Sequence, residues 1–140
     1  MTENRWTWSN TSELPSQKGA GATLVGEVLE QLRRNNWVED DVFGIHLALE
    51  EALVNAIKHG NGYDAEKKVR MACRLSEKRI YIEISDEGSG FDPTTVPDPT
   101  KDENLETPSG RGILLMRNFM TNVEYNAAGN RVTMEKIRED

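Results

Sequence analysis

The period of the hydrophobic residues changes several times along this chain, and each change marks an element. Arg5 to Asn10 alternates polar and aromatic residues, which predicts a first strand at a sheet edge, interrupted by Ser12 to Pro15. From Ser16 to about Trp37, Leu24, Val25, Val28, Leu29 and Leu32 keep helical spacing, with Arg33 and Arg34 near the C-terminal end, where cations suit the helix dipole. Gly19, Gly21 and Gly26 weaken the first half of that helix, each by up to about 1 kcal/mol relative to Ala. A second helix starts at the acidic Glu39–Asp41, runs to about His59 and stops at Gly60-Asn61-Gly62. At roughly 100° per residue, Val42, Ile45, Leu49, Ala52, Leu53 and Ala56 form one broad face, and Phe43, Leu47 and Val54 a second stripe. Glu51, Asn55 and His59 climb between the two. Polar residues between two apolar faces, on a helix that therefore lies deep in the domain, need a reason to be there.

Two runs with strand periodicity follow, Lys68 to Leu75 and Arg79 to Asp86, joined by Ser76-Glu77-Lys78 as a hairpin. Asp86 continues the parity of Ile80, Ile82 and Ile84, which aims a carboxylate at the apolar side of the sheet, an expensive place for an unpaired charge. Gly88 to Ser109 is rich in Gly, Pro, Asp and Thr; a loop of about twenty residues in a small domain is more often functional than decorative. Helical spacing returns at Ile113, Leu114, Met116, Phe119 and Met120. Two last strands, Asn122–Asn126 and Arg131–Ile137, meet at an Ala127–Asn130 turn. The order β-α-α-β-β-loop-α-β-β predicts an α/β (α+β) two-layer sandwich, a mostly antiparallel sheet covered on one face by helices.

Composition narrows the class. The 140 residues suffice for one domain, taken as 1–140, with a real core. The formal charge of −7 lacks the bulk basic surface that nucleic acid demands, so no nucleic-acid partner is expected. Cys73 is the only cysteine, which excludes an internal disulfide and a cysteine-rich metal site and suits a reducing cytoplasm. No apolar run resembles a signal peptide or a membrane span, so a cytoplasmic protein without a membrane partner is expected.

Three local features carry chemistry. Glu51 and Asn55, four residues apart on a helix, are neighbours that present a carboxylate beside an amide carbonyl. The amide oxygen suits Mg²⁺, and the carboxylate can take a proton from an attacking hydroxyl; the plainer alternative is a pair of polar residues on a half-buried helix. Asp86-Glu-Gly88-Ser-Gly90 ends a buried strand with a carboxylate able to accept from an adenine amino group and glycines that admit a ligand; the plainer alternative is a capped turn. Ser109-Gly110-Arg111-Gly112 opens a helix whose N–H groups can bind an anion, with Arg111 adding charge; the plainer alternative is a serine N-cap with flexible neighbours.

In this order, and over nearly the whole chain, these boxes resemble the GHKL (Bergerat-fold) ATP-binding superfamily. Neither a P-loop nor a protein-kinase His-Arg-Asp set competes. The resemblance implies Asn55 as the Mg²⁺-binding Asn, Asp86 as the adenine-reading Asp, and Gly88, Gly90, Gly110 and Gly112 as nucleotide-loop glycines. It also implies a lid over about 91–108. Leu-Glu-Glu-Ala-Leu-Val-Asn-Ala-Ile-Lys-His-Gly, on a free-standing chain, is similar to the anti-sigma-factor serine/threonine kinases.

That branch implies Glu51 as general base toward a Ser or Thr of an anti-anti-sigma (STAS-domain) partner, with ATP as donor, ADP as product, a sequestered sigma factor and a homodimer. Glu50 pairs at four residues with Val54 rather than Asn55, so the spacing favours Glu51. Lys58 and His59 match the family's box and either reach phosphate or end the helix. Thr133 resembles a last-strand threonine near the adenine, although Val132 and Met134 show the apolar parity. Whether Arg33 or Arg34 assists catalysis stays open. So does the alternative of a nucleotide-dependent binding module that does no chemistry.

Overall fold

A computed structural model describes residues 6–88 and 110–138 of the chain. Its elements follow in the order β1 (Trp8–Pro15), α1 (Ala22–Arg34), α2 (Glu39–Val54), a π-helical turn (Asn55–Gly60), β2 (Lys68–Leu75), β3 (Arg79–Ser85), α3 (Gly110–Phe119), β4 (Asn122–Tyr125) and β5 (Arg131–Ile137). The five strands form one sheet in the order β1-β2-β3-β5-β4, and every neighbouring pair is antiparallel. The two-layer α+β sandwich expected from the element order is thus the architecture found.

Period-two alternation fixes which side of each strand is dry. The register aligns Met71 with Ile84 and Val132, and Cys73 with Ile82 and Met134. All six are buried, together with Val28 and Leu32 of α1, Ile45 and Leu49 of α2, and Ile113 and Met116 of α3. The opposite face carries Arg70, Arg74, Tyr81, Glu83, Thr133 and Glu135, all at least partly exposed, so the helices occupy one side only. Helix α2 packs against both α1 and α3. Its middle is the buried centre of the helical layer, and its C-terminal end carries the polar residues.

Several sequence expectations are corrected. Ser12 to Pro15 does not interrupt β1. It pairs with Lys68 to Met71 and extends the strand, and Asn10 and Ser12 occupy inward positions that carried no apolar signal. Arg5 lies outside the described residues. Helix α1 starts at Ala22 rather than Ser16, because Gly19 and Gly21 adopt φ of 82° and 90° and hold the chain out of the helical region. Asn36, at φ 67°, ends it in the left-handed conformation common at helix C-termini. In the second apolar stripe of α2, Phe43 is 60% and Val54 45% exposed, so that stripe lies at the surface and only one face of the helix is core.

Candidate functional site

The C-terminal end of α2, the turn after β3 and the N-terminal end of α3 converge on one place. Helix α2 passes at Asn55 into the π-helical turn, where the Asn61 amide donates to the Ala56 carbonyl at 2.9 Å and the Tyr63 amide to the Ile57 carbonyl at 3.0 Å. The wider turn shifts the phase of everything after Asn55, so the α-helical line drawn through Glu51, Asn55 and His59 bends at its end. Lys58 is exposed, whereas His59 is half-buried and its buried Nδ1 has no hydrogen-bond partner among the described residues.

Glu51 is half-buried and lies against α3. A Cβ built on Gly112 would overlap its Oε1, so a glycine there lets the carboxylate keep this position against the first turn of α3. Asn55 is 8% exposed, and among the described residues its buried Nδ2 has only the Tyr125 phenol beside it, outside hydrogen-bonding geometry. A buried amide so weakly satisfied is a candidate for binding a ligand.

Asp86 follows the last residue of β3. Its amide donates to the Asn130 carbonyl at 2.9 Å, and its Oδ1 accepts from the Gly88 amide at 2.8 Å. Among the described residues no hydrogen bond reaches Oδ2. The carboxyl group lies on Gly60, where any Cβ would overlap it, and Gly88 in turn lies on the Gly60 carbonyl. Burial pushes the Asp86 carboxyl above the usual 3.8, against the pull of the Gly88 N–H and of Lys67.

The fold therefore gathers Glu51, Asn55, Asp86, Gly88 and Gly112 from three separate stretches of chain. Gly110 starts α3. Gly90, Ser109 and the proposed lid over about 91–108 lie outside the described residues, as does the side chain of Arg111. Thr133 is not gathered: it sits opposite Glu83 and Glu124 on the exposed face, and Val132 takes the inward position. Arg33 and Arg34 are remote as well. Arg33 pairs with Glu39 at 3.0 Å and Arg34 with Glu30 at 2.7 Å; Glu39 stands about 18 Å from Glu51 at 1.5 Å rise per residue.

Comparison of the chain with known proteins gives its family. Residues 14–136 match the histidine kinase-like ATPase domain. The chain belongs to that family. Similar proteins include the serine/threonine-protein kinase BtrW of Bordetella bronchiseptica, 29% identical over 94 residues that make up 66% of each chain. An anti-sigma F factor of Oceanobacillus iheyensis is 35% identical over 97 residues, covering 67% of this chain and 66% of its own. The serine-protein kinase RsbW of Staphylococcus aureus is 32% identical over 107 residues, covering 69% and 66%. The matched stretch thus spans just under two thirds of these relatives' length.

Within this histidine kinase-like ATPase fold the ligand class is a nucleotide, and the residues suit one accompanied by Mg²⁺. Among the described residues no three His, Cys, Asp or Glu groups cluster to hold an ion by themselves. The single buried amide of Asn55 fits a metal that keeps most of its coordination on water and phosphate oxygens. The glycines at 60, 88 and 112 leave no room for a side chain where backbone and carboxylates must touch.

Three residues the motifs did not single out belong to the site. Tyr125 reaches it from the edge strand β4. Burial pushes its phenol up to about 12, opposed by the Asn55 amide beside it and by Arg117, and reinforced by Glu51 and Asp86. Asn130 grips the turn after β3, its Nδ2 donating to the Gly88 carbonyl at 3.3 Å. Asn61 is 3% exposed and holds the same turn from the other side. All three act through partners far along the chain, so no local pattern announces them. The weak signal for Asn61 is a polar residue directly after the glycine that ends a core helix.

Proposed function

We propose that the chain is an ATP-binding anti-sigma factor with serine/threonine protein kinase activity, which phosphorylates an anti-anti-sigma (STAS-domain) partner and sequesters a sigma factor. The observation that carries the reading is the position of Glu51: a half-buried carboxylate one turn before the buried Asn55, seated on Gly112 in the first turn of α3. A protein that only binds nucleotide has no need of a base there. Relatives named as serine/threonine kinases and as anti-sigma F factors support both halves of the reading.

In this mechanism Asp86 accepts a hydrogen bond from the adenine amino group, and a base without that donor leaves a buried acceptor unpaired. The N–H groups opening α3 receive phosphate oxygens. Mg²⁺, when bound through the Asn55 carbonyl oxygen, supplies charge neutralisation on the phosphates. Glu51 takes the proton of the acceptor hydroxyl as its oxygen bonds to the γ-phosphorus; the bond from that phosphorus to the β–γ bridging oxygen breaks, and ADP leaves.

The test is transfer of label from γ-labelled ATP to a purified STAS partner. Wild type transfers label. Glu51→Gln still binds ATP but transfers about 10²- to 10⁴-fold more slowly, the usual worth of general-base catalysis. Transfer unaffected by Glu51→Gln removes the proposed base, and no transfer by wild type leaves a nucleotide-dependent binding module.

A further inference from the structure

The carboxylate that reads the base sits on a three-residue turn, Asp86-Glu87-Gly88, whose sequence does not make it rigid. Asn130 holds it from one side, through the Asp86 amide and the Gly88 carbonyl, and from the other side it is held by a side chain 26 residues upstream. The Asn61 Oδ1 accepts from the Glu87 amide at 2.8 Å. The Asn61 Nδ2 donates to the Ser16 hydroxyl at 2.9 Å and to the Lys68 carbonyl at 3.0 Å. Ser16 in turn donates to the Lys67 carbonyl at 2.6 Å, and the Glu87 carboxylate accepts from the Lys68 amide. One buried amide thereby joins the end of β1, the end of the π-helical turn, the start of β2 and the turn after β3.

The geometry has a directional consequence. Holding the Glu87 amide narrows where the next peptide can lie, and its Gly88 N–H donates to Asp86 Oδ1 at 2.8 Å. With Oδ1 engaged and the carboxyl group against Gly60, no described residue donates to Oδ2, which suits it to a donor from outside. An amide satisfied at both ends in a buried site is costly to replace, because any shorter side chain strands several partners at once.

We infer that Asn61 is a positioning residue for nucleotide specificity: it orients Asp86 so that the pocket selects a base bearing an exocyclic 6-amino donor. This inference rests on the reading of Asp86 as the group that accepts from adenine. Asn61 touches no nucleotide and acts only through the turn.

The experiment compares ADP and IDP affinity by calorimetry for wild type, Asn61→Ala and Ser16→Ala. IDP differs by carrying a 6-oxo group in place of the amine. Wild type is expected to prefer ADP by about 10- to 100-fold, the worth of a hydrogen bond to a charged group. Asn61→Ala is expected to bring that ratio close to one by weakening ADP alone, and to release the Glu87 amide to faster hydrogen exchange while the β3 core amides keep their protection. Ser16→Ala frees only one end of the latch and leaves Asp86, Gly60 and Gly88 in place, so it lowers the ratio by a smaller factor; this variant carries the test if Asn61→Ala does not fold. A wild-type preference that survives undiminished in the folded variants, whatever their loss of thermal stability, overturns the inference and leaves the reading of Asp86 standing. A wild type that binds both nucleotides equally overturns both.

Discussion

Glu51 of α2 and Gly112 of α3 touch so closely that no residue with a side chain fits at position 112 without moving the carboxylate. The proposed base and the proposed anion-binding start of α3 are thereby held as one unit. Gly112→Ala separates two quantities that usually change together. Alanine favours a helix over glycine by up to about 1 kcal/mol, so thermal stability should hold or rise slightly. A displacement of about 1 Å at a reacting group costs on the order of 10²-fold in rate, so phosphotransfer should fall by about that factor. Differential scanning calorimetry beside the labelled-ATP assay checks it; a variant that unfolds, or one that transfers at the wild-type rate, defeats the prediction.

Asp86 sets a pH dependence whose sign can be worked out. Burial raises its carboxyl above 3.8, so the folded chain holds that proton to higher pH than the unfolded chain does. Stability from this group therefore falls as pH rises from the ordinary aspartate value through the raised one, and at neutrality the folded protein carries a charge that the Gly88 N–H and Lys67 compensate only in part. Asp86→Asn should raise the melting temperature of the nucleotide-free protein at neutral pH and flatten its slope in the acid range. ADP affinity should move the other way, falling by about tenfold when a charged acceptor becomes neutral. Thermal melts across the acid range and calorimetry with ADP test both signs.

Cys73 lies in the core between Asn10 and Ile82 on neighbouring strands, and burial pushes its thiol up to about 12. The folded protein should be inert to thiol reagents at pH 8, with labelling that follows global opening. The sign with pH is again fixed: the unfolded thiol ionises near 9.0 and the folded one does not, so stability drains away as pH rises above that value. Cys73→Ser should cost about 1–3 kcal/mol through its buried hydroxyl. Rapid labelling of native protein contradicts this placement.

How far the fold was legible depends on how local its causes are. β2 (Lys68–Leu75) and β5 (Arg131–Ile137) are readable to the residue, because strict alternation of Val69, Met71, Cys73 and Leu75, or of Val132 and Met134, is a local signal. β1 is not, because polar Asn10 and Ser12 hold inward positions and only pairing with β2 makes that stretch extended. The site divides in the same way. Glu51 and Asn55 share one helix and Asp86 follows from strand parity, so all three stand out in the sequence. Thr133 tested that parity rule in reverse: its neighbours Val132 and Met134 already claimed the inner face. Asn61 depends on Ser16, 45 residues before it, and on Glu87, 26 after it, and such a contact leaves no periodic trace.

Asn55 offers the sharpest separation of function from stability. Among the described residues its buried Nδ2 meets only the Tyr125 phenol, outside hydrogen-bonding geometry, a liability of up to about 1–3 kcal/mol that a residue selected only for packing would not carry. Alanine removes that liability and gains up to about 0.7 kcal/mol of helix propensity, against the cost of the small void it leaves. These contributions nearly cancel, so Asn55→Ala should melt within a few degrees of wild type. Its binding should change in kind instead: Mg²⁺ should strengthen ATP binding to wild type and add little to the variant. Calorimetry with and without Mg²⁺ decides the matter. A large loss of stability with the Mg²⁺ effect intact would make Asn55 a structural amide; an unchanged melting temperature with the Mg²⁺ effect gone identifies a residue kept for the metal at the expense of its own hydrogen bonding.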